Sequence, residues 1–333
     1  MAPFDGRAPS VVGTVLTLLP LGLIVFPLRL WIRSAHQSWG WDDGCMVVAL
    51  LPFVGLSAVC IGGAFNGIGV SENELTNDEI KTALMWFWLY EIFWCLAVVP
   101  VKISIALTVG RLGRVASGKR PYIITLYGLV TILALITIGG MFYIIFRCTP
   151  VSYAWNVNIR GGECQAPDIL AGIYYATTAI NILADWVCAL LPIPLLWNAP
   201  LTRKAKLSIG FLLSLGVLAS ISACVRQTYT NALIHSHDRT SGLGDLLIWG
   251  YAEIGIGFFA GSLSSLRPLL MRRTITESIS EKDEGEQELY ELPGDNPLPT
   301  RQDHLIPERP GNMSPVSREI ESHLHRYIFE KPG

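Results

Sequence analysis

Seven stretches of this chain are apolar over the length of a membrane span, and that pattern removes most folds from consideration. A hydrocarbon core about 30 Å thick takes roughly 20 apolar residues of helix. The runs are Val11–Leu28, Gly44–Ser71, Leu84–Val109, Pro121–Phe146, Ile169–Trp197, Leu207–Val225 and Leu246–Leu266. Together they hold four charged side chains: Glu91 and Lys102 in the third, Asp185 in the fifth and Glu253 in the seventh. Only 16% of the 333 residues are charged, where a soluble chain carries about a quarter. The expected fold is therefore all-α, a seven-transmembrane helix bundle over residues 11–270. A short amino-terminal segment, 1–10, precedes it and a tail, 271–333, follows. The lipid bilayer is the first partner.

The first run also resembles a leader peptide in being near the terminus. Its 18 residues, the preceding Asp5 and Arg7, and the continuation into Arg29-Leu-Trp31 favour an uncleaved helix. Orientation follows from Lys and Arg near the span ends. One side collects Arg29, Arg33, Arg111, Arg114, Lys119, Arg120, Arg203, Lys204, Lys206, Arg267, Arg272 and Arg273. The other has Arg7, Lys81, Arg147, Arg160, Arg226 and Arg239. Twelve against six places the amino terminus outside and the carboxyl end in the cytoplasm; the plasma membrane is expected in preference to an internal one.

Charge divides the chain further. Residues 1–273 carry 19 basic and 14 acidic residues, and residues 274–333 carry 6 and 13 with seven Pro. The second composition predicts a disordered acidic cytoplasmic tail. Neither part has the dense basic surface that phosphate backbones require, so nucleic acid is not an expected partner.

An ionised group at membrane depth needs a partner or a task. At about 1.5 Å per residue, Glu91 and Glu253 lie near 10 Å from the outer ends of helices 3 and 7, and Arg226 tops helix 6 just above them. Lys102 and Asp185 lie deeper, at about 27 and 24 Å, with Asn181 one turn before Asp185 on the same face. Two layers result: an outer Glu91, Arg226 and Glu253, and an inner ion pair of Lys102 and Asp185. Two readings stand side by side. Both layers glue helices together, or the outer one is a pocket for an unidentified small-molecule ligand and the inner one a switch. Pro100 and Leu191-Pro-Ile-Pro194 would suit hinges.

Cys148 and Cys164 bracket the loop between helices 4 and 5. They are two free thiols or a disulfide, and an external, oxidising loop favours the bridge, which would stabilise by ~3 kcal/mol. Other strings carry less. Gly242-Leu-Gly244-Asp245 matches an intramembrane protease string, but Asp245 caps helix 7 while Asp185 lies about 24 Å down helix 5, so the two carboxylates cannot meet. His235-Ser-His237 reads as a polar loop, not a metal site. Gly257-Phe-Phe-Ala-Gly261 is a small-residue packing signal that leaves oligomeric state open. A retinal pigment needs a Lys in its last helix, and Leu246–Leu270 contains none. Retinal and other cofactors are not expected.

Several motifs occur together: Trp41-Asp42-Asp43 opening helix 2, Lys102-Ile-Ser-Ile105 with Arg111 closing helix 3, and Arg147-Cys-Thr-Pro-Val-Ser-Tyr-Ala-Trp155 with Gly162-Glu-Cys164. Ala184-Asp-Trp186, Leu191-Pro-Ile-Pro194, Arg226, Glu253 and Arg267-Pro268 complete the set. From Arg29 to Leu270 the chain resembles the fungal rhodopsin-like integral membrane family. That seven-helix group includes candidate receptors for surface cues and members encoded in mycotoxin biosynthetic clusters. The resemblance implies a receptor-like fold, a Cys148–Cys164 disulfide, a cytoplasmic-end motif of Asp42, Asp43 and Arg111, and no enzyme activity. Some relatives carry a Cys-rich external module before helix 1; ten residues without Cys stand there in this sequence. Helix 3 ends Val109-Gly-Arg-Leu-Gly113 in place of DRY and helix 7 lacks NPxxY, so G-protein coupling is not implied.

The expected function is that of a sensor for an external small molecule or surface cue, reporting to a cytoplasmic signalling protein. The alternative is an accessory or transport protein of a secondary-metabolite pathway, or a membrane scaffold. Protease added outside intact cells should spare the carboxyl-terminal tail, and Asn312 of the Asn312-Met-Ser314 sequon should carry no glycan. External cleavage of the tail would reverse the sidedness.

Overall fold

The structure, a computed structural model, describes residues 5–35, 37, 39–115, 120–191, 203–235 and 239–264. The acidic tail, His237, the Pro-Ile-Pro segment after Leu191, and Lys119, Arg267, Arg272 and Arg273 of the basic inner set lie outside them. Seven helices appear: α1 (Ala8–Ala35), α2 (Trp41–Phe65), α3 (Asn77–Val115), α4 (Arg120–Phe146), α5 (Pro167–Leu190), α6 (Arg203–His235) and α7 (Arg239–Ser264). All but α6 are long and apolar enough to cross a membrane over their described residues, and α6 contains the uncharged run Leu207–Val225.

Local chemistry sets several helix starts. Glu79 accepts from the Thr76 backbone N–H (3.0 Å) and hydroxyl (2.9 Å), while the Glu79 N–H donates to Thr76 Oγ1 (3.4 Å), a capping box ahead of α3. α5 opens on Pro167, whose missing N–H costs nothing in a first turn. α3 runs unbroken through Pro100 for 39 residues. Pro100 therefore does not interrupt helix 3.

The surface is apolar and the interior holds the charges, the reverse of a water-soluble bundle. Ile24, Leu51, Ile124 and Leu135 point outward, Leu51 with 78% of its surface exposed. Arg29, Asp42, Asp43, Glu91, Lys102, Asp185, Arg226 and Glu253 are all buried. Trp31, Trp39, Trp41 (84% exposed) and Tyr122 ring one end, as aromatic residues do at a membrane–water boundary.

Each helix packs on its chain neighbour and α1 packs on α7, closing a ring, with α3 and α7 also touching across the middle. The main apolar core draws its fully buried members from α1, α2, α3, α7 and Ile68. Its centre is a run of aromatic rings: Phe53 stacks on Tyr251 (5.6 Å) and Phe258 (4.8 Å), and Phe258 meets Phe26 (5.6 Å). A small second cluster, Ala106, Leu126, Val130 and Leu191, joins α3, α4 and α5. Among the described residues, apolar packing thus makes one dense half of four helices and a lighter half of α4, α5 and α6. Gly257 faces Val101, and Gly261 faces Met46 and Ile105, so the small-residue string Gly257–Gly261 packs inside the bundle.

One end is knitted by loops. β1 (Cys148–Thr149) and β2 (Glu163–Cys164) pair antiparallel, with Cys148 opposite Cys164, and the two cysteines form a disulfide. At the same end Arg7 N–H donates to Gly69 O (2.9 Å), Gly69 N–H to Thr240 O (2.9 Å) and Thr240 Oγ1 to Val70 O (2.7 Å). Gly69 sits at φ +91°, a conformation that favours glycine. A Cβ on Gly244 would press on Gly69 Cα at 2.8 Å. Asp245 pairs with Arg7 (3.3 Å). Gly242-Leu-Gly244-Asp245 is thereby a close-approach and tethering string.

The other, tail end is closed by charge. Arg29 is fully buried and donates to Asp43 Oδ1 (2.9 Å), Asp42 Oδ2 (2.9 Å) and the Gly261 carbonyl (2.6 Å). Arg33 reaches Asp42 (3.3 Å) and Asp43 (3.6 Å), and Arg111 reaches Asp42 Oδ1 (2.8 Å). Ser104 and Thr108 of α3 donate to Asp42 as well. Gly40 is required for space: a Cβ there would overlap the Arg111 guanidinium. Three arginines on two aspartates thus bind α1, α2, α3 and α7. This corrects the loop tally, because Arg29, Arg33 and Arg226 are buried side chains and not loop charges; without them the ratio is ten against five, unchanged in sense.

Removing one member of such a cluster strands the others. Arg29→Met should destabilise by about 3–5 kcal/mol, read as a lowered thermal midpoint of the purified protein. Arg7→Met, at an exposed pair, should move it by less than about 1 kcal/mol. Equal effects would contradict the assignment of Arg29 as the central member.

Candidate ligand site along α5

A stripe of polar residues marks α5: Tyr174, Thr178, Asn181 and Asp185. Steps of four, three and four keep them on one helix face. Each meets a partner on another helix. Nearest the disulfide end, the Tyr174 hydroxyl donates to Glu91 Oε1 of α3. Arg226 Nη2 of α6 donates to Thr178 Oγ1 (3.3 Å). Asn181 Nδ2 donates to Glu253 Oε1 of α7. Deepest, Lys102 Nζ of α3 donates to Asp185 Oδ1 in a buried ion pair.

Glu253 is the hub. Its second oxygen accepts from Arg226 Nε (3.1 Å), so one carboxylate joins α5, α6 and α7. The Arg226 guanidinium lies 4.4 Å over the Trp94 ring, adding a cation–π contact from α3. Little solvent reaches these groups: Asn181, Glu253, Arg226 and Lys102 are buried. In so apolar a setting a charge leaves its partner only when a ligand, a proton or another side chain replaces it. Any rearrangement of these groups therefore requires an exchange of pairing.

The structure joins the predicted residues differently from the two-layer reading. Arg226 is committed to Glu253 and Thr178, while Glu91 turns to Tyr174 and makes no ion pair among the described residues. Asn181 shares a face with Asp185, yet its amide serves Glu253. A continuous seam replaces the two layers, because side chains a turn apart on α5 reach partners at neighbouring depths. Tyr174, Thr178 and Trp94 were absent from the sequence reading. The four-three-four polar spacing on α5 was the available signal for the first two; nothing in the sequence singled out Trp94 among the aromatics. Asp42, Asp43 and Arg111 belong to the tail-end cluster and do not touch the seam. Among the described residues no group of three His, Cys, Asp or Glu is arranged to hold a metal; His237 lies outside them.

Comparison with known proteins agrees with this architecture. The family model for the fungal rhodopsin domain matches residues 28–272. "Fugralins biosynthesis cluster protein 2" of Gibberella zeae is 26% identical over 40% of this chain and 32% of its own length. An Emericella nidulans "SAT4 family membrane protein" is 22% identical over 70% of this chain and 55% of its own. "Polyenoic acids biosynthesis gene cluster protein Ba17b" of Metarhizium anisopliae is 24% identical over 86% of this chain and 81% of its own. The chain thus spans about a third and about half of the first two relatives. No solved structure matches. The matched family is one of membrane proteins and not a known enzyme family. With a domain match over most of its length and a bundle of seven helices, the chain belongs to the fungal rhodopsin domain family.

Proposed function

We propose that the chain is a receptor-like sensor in the plasma membrane. A small molecule arriving from the disulfide end disturbs the α5 seam, α5 and α6 shift against the dense four-helix half, and the tail-end surface offered to a cytoplasmic signalling protein changes. One observation carries this reading: α5 is held to α3 and α7 mainly by buried polar pairs and only lightly by apolar packing. Each polar pair is either made or exchanged for another, so a seam built of such pairs has discrete arrangements.

The relatives' names favour a second reading, an accessory or transport protein serving a secondary-metabolite pathway. Flux of a cluster product across vesicles containing this chain alone would support that reading and reject a pure sensor.

The seam can be tested without a ligand. With Cys45, Cys188 and Cys224 replaced by Ala, spin labels at the exposed positions Val48 on α2 and Leu190 on α5 report the distance between the two halves. The parent should give one distance, and Tyr174→Phe combined with Asn181→Ala should add a longer population. An unchanged single distance in the folded double variant would reject a movable α5. Separately, Lys102→Met should cost about 3–5 kcal/mol, and adding Asp185→Leu should recover most of it. Additive losses in thermal unfolding would show that the two charges do not depend on each other.

A further inference from the structure

Among the described residues, the buried charges of the spans pair off with one exception. Lys102 closes on Asp185 and Arg226 on Glu253, while Arg29, Arg33 and Arg111 close on Asp42 and Asp43. Glu91 is left. It is only 7% exposed, its one hydrogen bond comes from the Tyr174 hydroxyl, and no ion pair reaches it among the described residues. A carboxylate at membrane depth without a cation is the costly arrangement that proteins avoid.

The surroundings indicate what would complete it. Trp88 precedes Glu91 by three residues on α3 and so shares its helix face. The Trp88 ring packs at 5.1 Å and 52° against Trp155 of the disulfide loop, toward the outer end of the span. Trp88 Nε1 donates to the Ile144 carbonyl (3.4 Å), placing the indole between α3 and α4. Arg147, beside the disulfide, makes no ion pair with Glu91 among the described residues, and its Nε is buried with no hydrogen-bond partner. Two indoles toward one end of this helix face, and a carboxylate with a hydroxyl a turn further along it, are the chemistry that suits a soft organic cation. A metal ion would require several converging oxygen ligands, and here one carboxylate and one hydroxyl are present.

We propose that Glu91 and Tyr174, with Trp88 and Trp155 on the outer side, form a binding site for a small organic ammonium ion, whose charged nitrogen pairs with the Glu91 carboxylate. The proposal rests on the sensor reading above and names its ligand class. It also separates the roles of the three residues first grouped as a pocket: Glu91 anchors the ligand, and Arg226 with Glu253 belong to the seam beneath.

Equilibrium dialysis of the full chain in lipid nanodiscs tests it with butylammonium and tetramethylammonium, against butyrate and butanol as uncharged or oppositely charged controls of similar size. Saturable binding is expected for the ammonium ions only, weakened about tenfold or more by Glu91→Gln and severalfold by Trp88→Leu. The thermal midpoint and an intact Cys148–Cys164 disulfide report whether each variant folds; if Glu91→Gln does not, Tyr174→Phe, which keeps the ring, should still weaken binding. Butyrate binding as well as butylammonium, full binding by folded Glu91→Gln, or no saturable ammonium binding would each overturn the site. In the last case Glu91 carries its own proton or takes Arg147. Ammonium binding without a change in the Val48–Leu190 distance would leave the site standing and defeat the sensor. A distance change with no preference for ammonium would do the opposite.

Discussion

Hydrocarbon cannot solvate an ion, so every charge that enters it must find a counter-charge inside the protein. That constraint organises this bundle more than its apolar packing does. Leu, Ile and Val line the outside as readily as the inside, and burying them against another helix gains little over leaving them in lipid. The charged residues have no such freedom. Arg29 fixes the rotation of α1 by demanding Asp42 and Asp43, and Lys102 fixes that of α3 by demanding Asp185. Once those helices are turned, the aromatic stack of Phe26, Phe53, Tyr251 and Phe258 can form between α1, α2 and α7.

Two kinds of contact then divide the molecule. The tail-end cluster combines four buried charges and the half-buried Arg111 with a dense core beneath it, and four helices share both. The α5 seam strings single pairs along one face, with little apolar packing behind them. The first arrangement has redundant bonds: Asp42 alone meets Arg29, Arg33, Arg111 and Thr108. The second has none to spare, since each seam side chain on α5 has one partner. A molecule that must keep its shape while letting part of it respond is well served by that contrast.

The fold was legible in the sequence because the requirement for about 20 apolar residues per span is a one-dimensional property. Depth was legible for the same reason: residue count converts to distance along a helix, which brought Lys102 and Asp185 to one level. Rotation about the helix axes was less so. Arg29 and Arg33 read as loop charges because they follow an apolar run, yet the helix continues to Ala35 and carries them inward. Glu91, Arg226 and Glu253 shared a depth and were grouped, but the choice of which carboxylate takes the guanidinium depends on side-chain direction across three helices. Pro100 suggested a break that the flanking helix absorbs. The disulfide was legible from the chemistry of the loop, and the tilted Trp88–Trp155 contact was not, since those residues are far apart in sequence.

The tail-end cluster also bears on how the polypeptide enters the membrane. Helices are threaded in order of synthesis, and Arg29 precedes its counter-ions by only 13 and 14 residues. The leading hairpin therefore brings its own neutralisation and can settle in lipid as soon as α2 emerges. Lys102 has no such early companion: Asp185 follows 83 residues later. Glu253 comes last of all, arriving with the seventh helix to meet Arg226 and Asn181 already in place. Completion of the bundle is thus deferred to its final segment, and a nascent chain halted before α7 would hold Arg226 within the bundle without its Glu253 partner.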